Sequence, residues 1–180
     1  MFEEKTSTAL RFCLVLNLVL LLLIAILGAT SWGRLPDKVP VHFGVDGTPN
    51  RWINRGGEFL FLFFIPWLLT ALLFAFSRLI PWMRNHPQWI NIPHKERFLA
   101  LPQERQEPFF TSMQVHFMLM AVTLNLLFLG LIYATIQVAL GEYDRLPWWG
   151  IWPELVLILA VAAVNTIRIY RLASRALKTP

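Results

Sequence analysis

An all-α integral membrane protein is the fold class this sequence predicts. It should have four transmembrane helices, both termini on the cytoplasmic side, and an ordered Gly/Pro-rich extracytoplasmic loop between the first two helices. Three observations predict it: four long apolar blocks, an uneven distribution of cations between the segments that join them, and the turn-forming composition of the first of those segments. Over 180 residues, 56% are hydrophobic and 15% charged, against about 45–50% and about 25% in a soluble domain. The excess is gathered into blocks long enough to cross a hydrocarbon core of about 30 Å, which leaves little chain for a soluble domain. The chain reads as one membrane domain covering residues 1–180.

The first span is predicted at residues 9–31, with Asn17 as its one strongly polar residue after Arg11. Lys5 and Arg11 ahead of an apolar run also resemble a signal peptide, but the run exceeds the 7–15 residues of a signal h-region, so a retained anchor is expected. The second span is placed at 58–80 with Pro66 inside it; neighbouring helices re-satisfy the carbonyl that a proline frees, and a kink is expected. The third is placed at 111–140 and the fourth at 153–172, with Pro153 suited to a first helical turn. Between them lie an outer loop at 32–57, a cytoplasmic loop at 81–110, a second outer loop at 141–152 and a cytoplasmic tail at 173–180. Helices rather than strands follow because a spanning backbone must satisfy its own polar groups, and the alternation of a barrel strand is missing.

Orientation follows from the cations. With the N-terminus inside, eleven of the sixteen Lys and Arg residues fall on the cytoplasmic side, while Arg34, Lys38, Arg51, Arg55 and Arg145 fall outside. That is the bias of the positive-inside rule. Trp32, Trp148, Trp149 and Trp152 would line the outer interface, Trp82 and Trp89 the inner one. A net charge of +5 is explained by the same rule. The single Cys13 excludes an internal disulfide and a cysteine metal cluster.

The first outer loop carries most of the chemical information. Pro36, Pro40 and Pro49 fix φ, Asp46-Gly47 is a tight-turn pair, and residues 39–43 are β-branched and alternating. A small ordered hairpin on the helix ends is expected. His42 and Asp46 invite a metal or acid–base reading, but the further ligands of a metal site do not accompany them at usual spacing; otherwise His42 hydrogen-bonds within the loop and Asp46 forms the turn. Within the spans, Asn17, Asn125 and Asn165 place amides on three helices, and His116 is a titratable group near the end of the third. Amides there either bond between helices or form a polar path. Ala25/Ala29, Ala71/Ala75 and Gly130/Ala134 are small residues four apart, a spacing that permits close helix approach.

The 81–110 segment mixes five prolines with aromatic and basic residues, a composition suited to lying along an anionic leaflet. His86 and His94 read as interfacial. No nucleic-acid-binding motif is present, and no metalloprotease helix, phosphate loop or nucleophile elbow. No catalytic residues, metal or cofactor are therefore expected, and the protein is not expected to be an enzyme.

The stretch L-P-D-K-V-P-V-H-F-G-V-D-G-T-P-N-R-W resembles a bacterial membrane domain of unknown function (DUF1648 type) found in SdpI-related proteins. The likeness lies in Leu35-Pro36, Pro40-x-His42-Phe43, Gly47-x-Pro49 and Asn50-x-Trp52. Relatives carry Asp where Asn50 stands and Lys near Arg55. Asn91-Ile92-Pro93-His94-Lys95 and Leu101-Pro102-Gln103-Glu104-Arg105 resemble further family segments, so the likeness covers roughly the first three spans. The second conserved region of SdpI-type proteins is missing, which makes this a short form. The resemblance implies a bacterial inner-membrane protein of immunity or signalling type. It would recognise an extracytoplasmic ligand or membrane-active peptide through His42, Phe43, Asp46, Gly47, Pro49, Asn50 and Trp52. A structural or assembly subunit with a membrane partner or a second copy is the alternative, and a metal-dependent membrane enzyme the third reading. The bilayer is the one partner expected under all of them.

Overall fold

The computed structural model describes residues 2–178, so residues 179–180 of the expected tail lie outside the described residues. Four long helices dominate: α1 (Phe2–Trp32), α2 (Gly57–Met83), α4 (Gln103–Ala139) and α5 (Trp152–Lys178). Between α1 and α2 a two-stranded antiparallel hairpin is formed by β1 (Lys38–Phe43) and β2 (Pro49–Asn54). Between α2 and α4 come a 3₁₀ turn at Pro87–Trp89 and the short helix α3 (Lys95–Leu99), and a second 3₁₀ turn at Trp148–Gly150 leads into α5. Each long helix is apolar enough over 18 or more residues to cross a bilayer.

Helix ends run beyond the predicted spans. α2 continues through both Pro66 and Pro81 to Met83, α4 starts at Gln103, and α5 continues to Lys178. At the start of α4, Pro102 supplies an extended residue and Glu104 a negative charge in the first turn, where the helix dipole favours it. Hydropathy marks where a helix is apolar, and these polar turns are helical without being so.

α4 is the central element. α1, α2 and α5 all pack along it, while α1 and α2 touch each other much less. The surface is inverted relative to a soluble protein: Phe12, Leu22, Phe61, Leu68, Val156 and Leu159 point outward, while Asn17, Ser77, Asn125 and Thr135 are buried. Apolar side chains facing out around a polar-containing interior suit a lipid solvent, in which the hydrophobic effect does not drive helices together.

Two apolar clusters close the ends. At the hairpin end, Val39 packs with Ile24, Leu35, Phe59, Ile132 and Ile136. At the opposite end, Phe98 of α3 is fully buried against Phe109 and Phe110, with ring centroids 5.0 and 6.3 Å away. Ile80, Ile90 and Ala173 complete that cluster. The 81–110 segment is therefore not simply spread along a leaflet. Its aromatic residues divide: Trp82 and Trp89 are exposed, whereas Phe98 and Phe109 plug the bundle, because burying two phenyl rings outweighs leaving them at a wet interface. His86 stacks on Trp82 at 3.5 Å between centroids, and His94 starts α3 in the left-handed region at φ 56°.

Candidate functional site

The hairpin is held at three places. At its base, one Arg55 guanidinium nitrogen donates to the carbonyls of Trp32 (2.8 Å) and Leu35 (2.6 Å), and the guanidinium lies 5.6 Å from the centre of the Trp32 ring. The Arg55 amide also donates to Asp37 O at 2.6 Å. Carbonyls at a helix C-terminus have no intrahelical donor, so a cation at the end of β2 closes the hairpin onto the end of α1. Along one face, Val39 is fully buried, with Val41 and Ile53 half-buried beside it over the ends of α1, α2 and α4. The register shifts after Pro40 and again after His42; such irregularities re-aim side chains next to them.

At the tip, Gly47 adopts φ +80° and accepts a 2.8 Å hydrogen bond from the Leu146 amide, in the loop that joins α4 to α5. The turn is closed from within. The Gly44 amide donates to Thr48 O (2.8 Å), and Asp46 Oδ1 accepts from the Thr48 hydroxyl (2.7 Å) and amide (3.1 Å). Those two donors hold the Asp46 carboxyl below the usual carboxylate range, with a smaller contribution from Arg145. A group with a depressed folded pKa stabilises its fold above the ordinary value, and that contribution disappears as pH falls through the depressed one. Acidification below the usual carboxylate range is thus expected to lower the protection of the Thr48 amide, that is, its exchange rate should rise relative to the unstructured rate at the same pH. Asp46→Asn should remove this pH dependence; an unchanged profile in that variant would contradict the assignment.

The predicted recognition residues divide into groups. His42 Nδ1–H donates to Asn50 Oδ1 at 2.6 Å, a cross-strand pair on the exposed face, where Trp52 is also exposed. Phe43 pairs with Pro49 in register beside the turn. Asp46 and Gly47 border a cleft of about 720 Å³ between the hairpin tip and the α4–α5 loop, which the other five do not line. The rest of that cleft escaped sequence reasoning. Glu142, Asp144 and Arg145 supply charge, and Trp148 and Trp152 supply exposed aromatic surface beside a fully exposed Val45. With Asp46, the lining holds three carboxylates and one cation. The signal was present in Glu142-Tyr143-Asp144-Arg145 directly ahead of Leu146-Pro147-Trp148-Trp149, but nothing local says that this loop meets the hairpin.

Inside the bundle, two of the three amides come together. Asn125 Nδ2 donates to Asn17 Oδ1 and Thr70 Oγ1, both at 2.9 Å, joining α4 to α1 and α2. Asn17 Nδ2 donates to Cys13 O (2.8 Å) and Met118 O (3.2 Å). Asn165 donates only to Val161 O of its own helix. His116 Nδ1 is buried with no partner among the described residues, and the residue borders a cavity of about 190 Å³ with Trp89 and Tyr170. Asn125→Leu takes the donor away from Asn17 Oδ1 and the Thr70 hydroxyl, while Asn17 Nδ2 keeps its two carbonyls, and is expected to cost about 1–2 kcal/mol. Asn165→Leu should cost much less, and unfolding in mixed detergent would check the order. Among the described residues no three His, Cys, Asp or Glu side chains gather as a metal cage would need.

Four apolar helices with an inverted surface define a multi-pass membrane protein. Residues 19–70 match the model of a family described as a domain of unknown function, DUF1648. The match covers the second half of α1, the hairpin and the first half of α2, so the resemblance seen in the loop motif is borne out. An uncharacterized protein of Archaeoglobus fulgidus is 28% identical over 151 residues, covering 82% of this chain and 79% of that protein. No solved structure matches.

Proposed function

We propose that the protein is a non-enzymatic receptor of the cytoplasmic (inner) membrane, with both termini inside. In this reading the outer hairpin and the α4–α5 loop together recognise a cationic, membrane-active peptide, in an immunity or signalling role related to that of SdpI-type proteins. One observation carries it: the cleft between hairpin tip and α4–α5 loop combines three carboxylates and a single cation with exposed Val45, Trp148 and Trp152. Peptides that lie in a membrane interface pair a Lys/Arg-rich face with an apolar one, and an anionic, aromatic cleft at the level of the interface complements both. The cation count and the tryptophans at both bundle ends support the orientation. The test is peptide sensitivity of a deletion strain complemented with wild type, with Asp46→Asn/Glu142→Gln/Asp144→Asn, or with Trp148→Ala/Trp152→Ala. Both variants are expected to lose protection while remaining in the membrane, and full protection by either sinks the reading. Labelling of a C-terminal tag from outside the cell would overturn the orientation.

An assembly-subunit reading has its own support. Ala25 and Ala29 of α1 are exposed and border, with Phe64 and Trp67 of α2, an apolar groove of about 580 Å³, while Gly28 between them is buried against the Phe63 ring. Small residues on a lipid-facing groove let a partner helix approach closely. A stoichiometric crosslinked partner, without any peptide phenotype, would favour this alternative.

A further inference from the structure

At the end of the bundle away from the hairpin, α1, α2 and α4 enclose a cleft of about 370 Å³. Two arginines line it from different helices, Arg11 of α1 and Arg78 of α2, each within the apolar span of its helix. Its one carboxylate is already committed: Glu107 Oε2 accepts from Arg84 at 2.5 Å, and Oε1 accepts from the Thr111 hydroxyl at 3.2 Å. The polar wall is likewise occupied with tying helices together, since Ser77 Oγ donates to Gln114 O and Gln114 Nε2 donates to Ser77 O, both at 3.2 Å. What remains unmatched is positive charge. Among the described residues Arg11 has no ion pair, and the Arg78 guanidinium has only the Phe74 ring, 5.6 Å from its centre.

Snorkelling to the interface accounts for a single arginine near a helix end. It does not account for two, from separate helices, converging on one cavity beside a carboxylate that is already satisfied. We propose that this cleft seats the phosphate of an anionic phospholipid, held between Arg11 and Arg78. Guanidinium groups match phosphate oxygens by paired N–H donors, and basic pockets between spanning helices are where lipid head groups bind. A lipid rather than a soluble phosphate fits because Leu14 and Phe74, both on the cleft wall, are each 38% exposed next to the arginines. They offer an apolar track on which acyl chains would lie. The cleft is at the far end from the hairpin, so the inference stands independently of the proposed receptor role.

Native mass spectrometry of the full-length protein in detergent tests it, titrating phosphatidylglycerol and phosphatidylcholine separately. Wild type is expected to retain phosphatidylglycerol in preference to phosphatidylcholine. Arg11→Gln/Arg78→Gln should weaken phosphatidylglycerol retention by about tenfold or more, because each arginine near the surface contributes a several-fold factor. Arg168→Gln/Arg171→Gln, with the same charge change on α5, should leave it unchanged. If the double variant does not fold, Arg11→Lys and Arg78→Lys each keep the charge and lose the fork, and each should show a partial loss. Equal retention of both lipids, a loss of the same size in the α5 variant, or no loss in any cleft variant overturns the proposal. Displacement of bound phosphatidylglycerol by millimolar inorganic phosphate would assign the site to a soluble anion and overturn it as well.

Discussion

Gly47→Ala is expected to unseat the hairpin tip and cost about 2–4 kcal/mol, the sum of a backbone penalty and a steric one. The first arises because Gly47 sits at φ +80°, in the left-handed region. The second arises because a Cβ there would lie 2.5 Å from Leu146 O, a backbone atom of the α4–α5 loop that has no rotamer by which to withdraw. Gly141 separates the two contributions. It has φ +76° but nothing within 4 Å of its would-be Cβ, so Gly141→Ala should show only the backbone part, about 1–2 kcal/mol. Thermal unfolding in detergent gives the difference, and hydrogen exchange at the Leu146 amide shows whether contact at the tip is lost. Equal effects of the two substitutions would mean that the tip is not docked as described.

Arg55→Met is the second large effect, about 2 kcal/mol or more, because it strips two carbonyls near the end of α1 of a charged donor. Trp32 O and Leu35 O are reached by the same guanidinium nitrogen, and the stacking on Trp32 is lost with it. Arg55→Lys should recover part of this, since an ammonium still donates to a carbonyl but does not stack as a planar fork does. Faster proteolysis within residues 38–54 of Arg55→Met, with the helices intact by circular dichroism, would show that the loss is local to the hairpin.

Much of the architecture was legible because its causes are local. An apolar run of some 20 residues has few fates, and Asp46-Gly47 sets a turn wherever it stands. Three-dimensional partnerships were not legible. Asn17 and Asn125 stood out as amides in apolar helices, but nothing in their spacing distinguishes the pair that meets from Asn165, which bonds its own helix. Arg55 stands in the sequence only as a cation near a position where relatives carry Lys, whereas its work is done on carbonyls 20 and 23 residues earlier in the chain. Glu154 carries no local signal beside Pro153, although one of its carboxylate oxygens is buried with no partner among the described residues and the other would lie 3.4 Å from a Cβ on Gly130. Of the candidate site, sequence reasoning reached the hairpin side and missed the opposing loop, because a contact about 100 residues distant leaves no local mark.

The central position of α4 has a consequence for biogenesis. α1 and α2 leave the ribosome first, yet their main packing partner and the amide that pairs with Asn17 arrive 108 residues later. At about 5–20 residues per second, a nascent chain spends roughly 5–20 s with an unpartnered asparagine in lipid and two helices that scarcely grip each other. During that interval Arg55 and the hairpin are the main connection between them, so substitutions there should lower the yield of inserted protein even where the finished bundle tolerates them.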